Sequence, residues 1–571
     1  MISNTNSNKV DVQLEVLSER TEGTAAVMQD EDGTNYIRVP LTKAKFVLVY
    51  IGLLLAILLA ALDQTIVATA LKTIVTDFGK QNLIPWIGSA YLMTAAPLGT
   101  LYGKFADIFG RKWVFVFAIT VFEIGSLLCG VATSMEFLIV GRAIAGVGGG
   151  GIFSCVLIII SDIVSIRDRG KFQGLIGAVF GLASVIAPLV GGAFSDNGLW
   201  RWCFFINLPL GAITLFTVIM YLNFPPEDGS FKDKISRVDF LGALVLFAAV
   251  LCLVTPLQLG GSLWEWNASQ TIVLFVLSAI LFAVLAFIEL KVAKEPIIPA
   301  SIFINASVPA LLVIALCLGA SFVPGIYYIS LFFQVIFGST ATSAGLKIIP
   351  IVAGLVVMTI GSGIYVSKFG TYRHFLFIGP IVAIGGIIAI SFLNGDSSMV
   401  QQVFSLLIFG LGIGSMMQIR VIALQASVPR ELIAIATAVS QTCQTLGSAV
   451  GISITGTLFN NIVTSNTADA KELQFWVSRF VAQGIPAQTS EVLPLLGMLQ
   501  ASAQFYPRND TVAAAAFNAT LAAATTELKD GFNGAFKIAY LGLLPYPILI
   551  LIFALFVKQM AMPKDVEAGA H

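Results

Sequence analysis

Residues 46–68 read FVLVYIGLLLAILLAALDQTIVA. The stretch holds one charged side chain, Asp63, and no proline. A helix needs roughly 20 apolar residues to cross the hydrocarbon core of a bilayer. A barrel strand would instead alternate over about 10 residues, and no alternation is present. The stretch therefore predicts a membrane-spanning helix. Thirteen more of its kind follow, at 84–103, 114–132, 138–160, 172–192, 203–223, 238–258, 271–290, 308–330, 345–365, 374–393, 403–423, 437–458 and 538–557. The expected fold class is an all-α polytopic membrane protein with fourteen transmembrane helices.

Composition agrees. Of 571 residues, 57% are hydrophobic and 11% charged, where a soluble chain carries about 25% charged residues. Formal net charge is zero, and no basic patch suggests a nucleic-acid partner. The lipid bilayer is the expected partner. Only two histidines occur, His374 and His571. No histidine-based metal site or catalytic triad can be built from them, so neither a metal nor an enzyme activity is expected. The six cysteines all fall in predicted helices, which gives no sign of an extracellular disulfide framework. The glycine run Gly148–Gly151 lies inside an apolar segment without a following Lys-Ser/Thr, so it is not a phosphate loop. No ATP and no cofactor are expected. No cleavable signal pattern opens the chain, and the first apolar segment is expected to direct insertion.

Lys and Arg sort between alternate loops. Short loops on one side hold only Lys72, Lys80 and Arg201, and the long segment 459–537 holds Lys471, Arg479, Arg508, Lys529 and Lys537. The positive-inside rule then places both termini in the cytosol. The Asn-x-Ser/Thr sequons at Asn267, Asn509 and Asn518 fall outside, as candidate glycosylation sites, while Asn305 falls inside.

The spans group as six, two and six. We read residues 1–45 as a cytosolic tail and 46–224 as a six-helix bundle. Residues 225–300 are a cytosolic linker with two inserted helices. Residues 301–458 are the first five helices of a second bundle, 459–537 an extracellular loop, 538–557 the last helix and 558–571 a cytosolic tail. Two such halves suggest an internal repeat. Gly103–Lys112 after the second span is echoed by Gly361–Arg373 after the tenth, each with a small residue, a glycine turn and a base. The second copy lacks the acid.

An ionisable group inside a span costs about 2.5–3.5 kcal/mol at its centre on insertion scales. Asp63, Glu123 and Arg142 are the clearest cases. At 1.5 Å per residue, Asp63 and Arg142 lie at matching depth, roughly 6–9 Å below the outer surface, and could pair across the bundle. A carboxylate that alternates between an arginine and a proton is a coupling device; the bland reading is a static strut. Glu123 reads as a packing residue with a hydrogen bond, or as a group on the path. The small residues Gly174, Gly177, Gly181, Ser184, Pro188 and Gly192 form one stripe suited to close helix packing.

Four stretches carry a family resemblance: Leu62–Leu71 (LDQTIVATAL), Gly103–Lys112 (GKFADIFGRK), Gly141–Gly150 (GRAIAGVGGG) and Trp200–Gly211 (WRWCFFINLPLG). Together they resemble the major facilitator superfamily, and specifically its fourteen-helix drug:proton antiporter branch, with fungal toxin and secondary-metabolite efflux pumps the nearest in kind. The resemblance covers 46–557. Ala187 stands where the branch usually has glycine, and Lys72 where its first-helix motif commonly ends in proline. The resemblance implies a major-facilitator fold and proton-coupled export of a hydrophobic small molecule by alternating access, with protons as co-substrate. It implies proton coupling at Asp63 and Arg142, and a gating loop at Gly103, Asp107, Gly110 and Arg111. It also implies a hinge at Pro188, Gly191 and Gly192. It favours the plasma membrane over the vacuolar membrane.

A candidate substrate path is Tyr91, Gln173, Tyr327, Gln334 and Gln441, with Phe180, Tyr328, Phe332 and Gln418 beside it. This set suits an apolar or amphipathic cargo better than a sugar. Alternatives remain a vacuolar antiporter of basic amino acids or another small solute, and a non-transporting receptor with the same fold.

Overall fold

A computed structural model describes residues 26–29, 35–38, 42–78, 83–165, 168–222, 224, 230–260, 264–466, 470–482, 499 and 511–560. Ahead of the membrane part, Ala26–Gln29 and Asn35–Arg38 pair antiparallel, with Val27 opposite Ile37. This short hairpin lies within residues 1–45. Among the described residues, the elements after it are helices. The first bundle comprises α1 (Lys43–Phe78), α2 (Ile84–Phe109), α3 (Arg111–Gly130), α4 (Met135–Ile163), α5 (Arg169–Asp196) and α6 (Trp202–Tyr221). A capped turn of helix, α7 (Phe231–Ser236), leads to the inserted pair α8 (Phe240–Leu259) and α9 (Ser269–Lys291). The second bundle comprises α10 (Ser307–Ile336), α11 (Thr342–Phe369), α12 (Phe375–Ser391), α13 (Met399–Ala426), α14 (Ile433–Asn466), α15 (Lys471–Ala482), α16 (Thr511–Leu541) and α17 (Pro545–Ala554).

Among the described residues, twelve helices are long and apolar enough to cross a membrane. The other two predicted spans coincide with α2, which carries Lys104 and Asp107 near its end, and with α12, only 17 residues long. In lipid every backbone group must be paired within the protein, which helices achieve by themselves. Side chains facing outward are apolar: Leu244, Val273, Phe287 and Phe216 are all exposed.

Several spans differ from the sequence reading: α1 runs on to Phe78, α2 to Phe109 and α10 to Ile336. The last one, 538–557, is not a single helix. The segment 459–537 is partly helical, and α16 runs through its end because its alanine runs favour helix. The chain then turns after Leu541 and restarts at Pro545, a residue suited to the first turn of a helix. Also, α14 extends beyond 458 to Asn466, where its Nδ2 donates to the Gly531 carbonyl of α16 at 3.2 Å.

Lipid supplies no hydrophobic drive between helices, so close packing rests on small residues. The glycine run of α4 shows this. A Cβ at Gly148 would lie 2.4 Å from the Ala118 carbonyl oxygen of α3, and one at Gly146 2.3 Å from the Tyr91 carbonyl oxygen of α2. Between bundles, α5 packs on α11 and α2 on α14. The inserted helix α8 sits beside both α2 and α14. Glu295, after α9, accepts from Lys104 at 3.2 Å and from Arg237 at 2.9 Å. These pairs are partly open to water, so Glu295→Ala is expected to cost about 1 kcal/mol or less, read as the shift in a detergent unfolding curve.

Candidate functional site

Asp63 and Arg142 meet in the core of the first bundle. The Arg142 Nη1 donates to Asp63 Oδ2 at 2.6 Å, with the two residues 2% and 0% exposed. Arg142 Nε donates to the Ile87 carbonyl at 3.2 Å. The Tyr91 ring centroid lies 4.7 Å from the guanidinium carbon, within the range of a cation–π contact. Glycine shapes this placement, since a Cβ at Gly149 would lie 1.9 Å from the Tyr91 hydroxyl. The second carboxylate oxygen of Asp63 accepts from Asn207 Nδ2 at 3.4 Å, and the same amide donates to Ser126 Oγ at 3.1 Å. Four helices, α1, α3, α4 and α6, thus converge on one carboxylate. Asn207 and Ser126 were not singled out from the sequence. The signal was an amide inside the WRWCFFINLPLG string, within a segment that offered few other polar side chains.

Glu123 on α3 is 9% exposed, and neither carboxylate oxygen has a hydrogen-bond partner. The hydrogen-bonded packing role is therefore corrected. Its carboxyl group lies against Gly211 of α6, where an added Cβ would come within 1.8 Å of Oε1. An unpaired charge in this position is costly. Glu123→Gln, which keeps the shape and removes the ionisable group, is expected to leave the folded protein as stable or up to about 1–3 kcal/mol more stable. Unfolding in detergent reads this, and a clear loss of stability would show that the charge itself is used.

The loop motif is tied together by ion pairs. Arg111 pairs with Asp107 at 2.8 Å and with Asp162 of α4 at 3.0 Å. Gly110 has φ +90°, a conformation that favours glycine, and it lets α3 start directly after α2. Gly103 faces the other bundle, where its Cβ would lie 2.7 Å from the Ala438 side chain and 2.9 Å from the Ala434 carbonyl oxygen of α14. The matching contact in the second half is Gly363 against Gly170, with a would-be Cβ 2.0 Å from the Gly170 carbonyl oxygen. Gly361, the position aligned by the sequence repeat, has nothing within 4 Å.

Polar bridges join the bundles near this motif. Ser367 Oγ donates to Asp168 at 2.9 Å. Arg169 Nη1 and Gln173 Nε2 both donate to Gln425 Oε1, at 3.3 and 3.2 Å. Further along, Thr100 bonds Thr442 at 2.8 Å. Burial pushes Asp168 up, but its hydrogen bonds from Lys171 and Ser367 outweigh that and hold it below the usual carboxylate range.

Pro188, Gly191 and Gly192 fall on α5. A Cβ at Gly192 would lie 2.6 Å from Thr342 Oγ1 of α11, while Gly174 and Gly177 face Thr359. The small-residue stripe is thus the α5–α11 seam. The five path candidates lie in different surroundings. Tyr91 belongs to the Arg142 site, and Gln173 is a fully buried bridge to Gln425. Gln334 bonds its own turn at Ser330, and Gln441 is half-buried. Tyr327 is 56% exposed, its ring edge-on to buried Tyr328 at 5.1 Å. Phe332 is core, stacked on Phe536 at 4.4 Å. Asn267 is exposed, Asn509 lies outside the described residues, and Asn518 falls on α16 with its side chain outside them. Asn305 holds the start of α10, accepting from Ser307 N at 3.0 Å and donating to the Ser427 carbonyl at 2.9 Å.

Comparison with known proteins matches this architecture. A family model described as Major Facilitator Superfamily matches residues 53–452. The MFS-type efflux pump MFS1 of Arthroderma benhamiae is 36% identical over 449 residues, 78% of this chain and 83% of that protein. The efflux pump aflT of Aspergillus parasiticus is 35% identical over 430 residues, 74% of this chain and 84% of that one. Among solved structures, the proton:xylose symporter XylE superposes with a TM-score of 0.53 at 13% identity, covering 91% of this chain and 98% of that chain. That likeness is one of fold.

Proposed function

The chain belongs to the major facilitator superfamily, and from that premise we propose that it is a proton-coupled exporter of hydrophobic small molecules. It is a multi-pass membrane transporter and not an enzyme. The observation that carries the finer reading is the buried Asp63–Arg142 pair, at 2.6 Å. A buried ion pair stabilises a fold weakly, because desolvation offsets its attraction. A site that alternates between a paired and a protonated arrangement gains from it. In one, the guanidinium neutralises the carboxylate and the pair is neutral; in the other, a proton neutralises the carboxylate, the guanidinium keeps its charge and turns to other acceptors, and the site carries one net positive charge. Asn207 and the Ile87 carbonyl are groups already in place for such an exchange.

Coupling to alternating access would run through α1 and α4, which carry the pair, and through the loop motif, which latches the 103–111 end. In this reading fourteen helices span the membrane as six, two and six, with both termini cytosolic, in the plasma membrane. The pH gradient, not ATP, supplies the energy. The efflux names of the relatives at 35–36% identity support export as the direction. Basic amino acids as cargo would need buried acids free to receive them. Asp63 is occupied by Arg142, and Glu123 alone, on α3, is a buried acid with both oxygens unpartnered among the described residues, which is a thin acceptor set for a basic cargo.

The test is flux in proteoliposomes carrying the full chain. Ethidium and a set of neutral apolar dyes would be presented outside, with the interior acid. Accumulation that collapses when the gradient is dissipated is expected. Movement indifferent to the gradient would make the protein a facilitator and remove the coupling role.

A further inference from the structure

Arg420 is another large cation buried inside the helices, and unlike Arg142 it pairs with no acid among the described residues. It lies on α13 and is 2% exposed. Its Nη1 donates to Ser440 Oγ at 2.7 Å, and its Nη2 to Gln444 Oε1, both on α14. Its Nε is buried with no partner. Among the described residues no carboxylate pairs with it. A buried guanidinium cannot shed its charge, and an uncompensated one is strongly destabilising.

The surroundings point to a place that opens. The α13 helix is interrupted at Gln418, whose Oε1 is also buried without a partner. Gln418 approaches Gly177 of α5 across the bundle interface. Five residues beyond Arg420, Gln425 takes the bonds from Arg169 and Gln173 and donates to Thr437 Oγ1 at 3.1 Å. Parting of the bundles at the 103–111 end would break those bridges and would give solvent access to the face of α13 and α14 beside Arg420.

We infer that Arg420 is the anchor for a carboxylate on the transported molecule, so that the cargo is an apolar organic acid in its anionic form. This rests on the export reading above. The Nε–Nη2 edge, unpartnered at Nε, carries two parallel N–H donors, the geometry that a carboxylate accepts in bidentate fashion. Gln444 now occupies Nη2 through its amide oxygen. On arrival of a carboxylate it can rotate and donate its NH2 group instead, and Ser440 keeps Nη1. The second bundle would thus hold the anion, and the first the proton.

The test uses the purified full chain with 1-naphthaleneacetate and 1-naphthaleneacetamide, which share one apolar body and differ in charge. Binding is read by thermal stabilisation at fixed ionic strength, and gradient-driven movement in proteoliposomes. The wild type is expected to bind the acid at least ~10-fold more tightly than the amide, in line with a charge-assisted bidentate contact. Arg420→Gln is expected to lose that preference and retain the weak amide binding; Arg420→Lys should be intermediate. Gln444→Glu supplies an internal carboxylate, so it should abolish the preference while keeping or raising thermal stability, which covers the case that Arg420→Gln does not fold.

Equal binding of acid and amide by the wild type overturns the assignment. So does stabilisation by chloride against gluconate that the acid does not compete with, since the site would then be one for inorganic anions. If both probes move equally and Arg420→Gln changes neither, the assignment fails and the export reading stands. If neither moves, the export reading fails, and binding alone decides Arg420.

Discussion

Asp63→Asn is expected to abolish gradient-driven transport and to cost the folded protein about 3–5 kcal/mol. Both effects follow from what remains behind. Arg142 is 2% exposed, and among the described residues the acid it pairs with is Asp63. Asparagine keeps the size and part of the hydrogen bonding, yet leaves a guanidinium in a low-dielectric core with no counter-charge. The converse change, Arg142→Gln, is expected to be milder for stability, because a carboxylate left alone can be neutralised by one proton and a guanidinium cannot. The double variant Asp63→Asn, Arg142→Gln removes both charges and should recover most of the stability, since replacing a whole buried pair is often neutral. It should not recover transport. Stability is read from unfolding in detergent, and function from dye accumulation under an acid interior. The contrast separates a strut from a coupling site. A strut predicts that flux returns with stability in the double variant. Gradient-driven flux persisting in Asp63→Asn would also end the coupling role.

The membrane part of this fold was legible from residues 46–68 outward, because continuous apolar length is a property of the chain itself. Asp63 and Arg142 were legible for the same reason: a charge inside such a segment is conspicuous, and matching depth suggested that they meet. Arg420 should have been equally visible. It sits three residues before the predicted end of its span at 423, where a long basic side chain reads as one reaching for water. The helix in fact runs on to Ala426, which places the guanidinium inside. The cross-bundle set of Arg169, Gln173 and Gln425 was not legible, because it depends on which faces of α5 and α13 meet, and hydropathy carries no such information when every face is apolar. The repeat reading had the same limit. It aligned Gly361 with Gly103, while the packed glycine is Gly363, two residues on and on a different face of the helix.

Gly363→Leu is expected to open the 103–111 end and to reduce transport by about tenfold or more. A Cβ at Gly363 would lie 2.0 Å from the Gly170 carbonyl oxygen and 2.7 Å from its carbonyl carbon. Both obstacles are backbone, so no side-chain rotation relieves the clash, and α5 and α11 must separate. Overpacking of this kind costs about 1–3 kcal/mol. When one of two alternating states bears that cost and the other does not, their ratio changes roughly 5- to 150-fold. Opening is read at Ser367, which is nearly buried and bonded to Asp168 across the seam. In a background lacking the six native cysteines, Ser367→Cys should react with a water-soluble maleimide about tenfold faster or more when Gly363→Leu is present. Gly361→Leu is the control, because nothing lies within 4 Å of its would-be Cβ on the same helix, and it should change neither labelling nor flux. Equal labelling in the two backgrounds would mean that the seam yields without parting. The glycine contact would then be a packing detail and not the hinge on which the two ends exchange access.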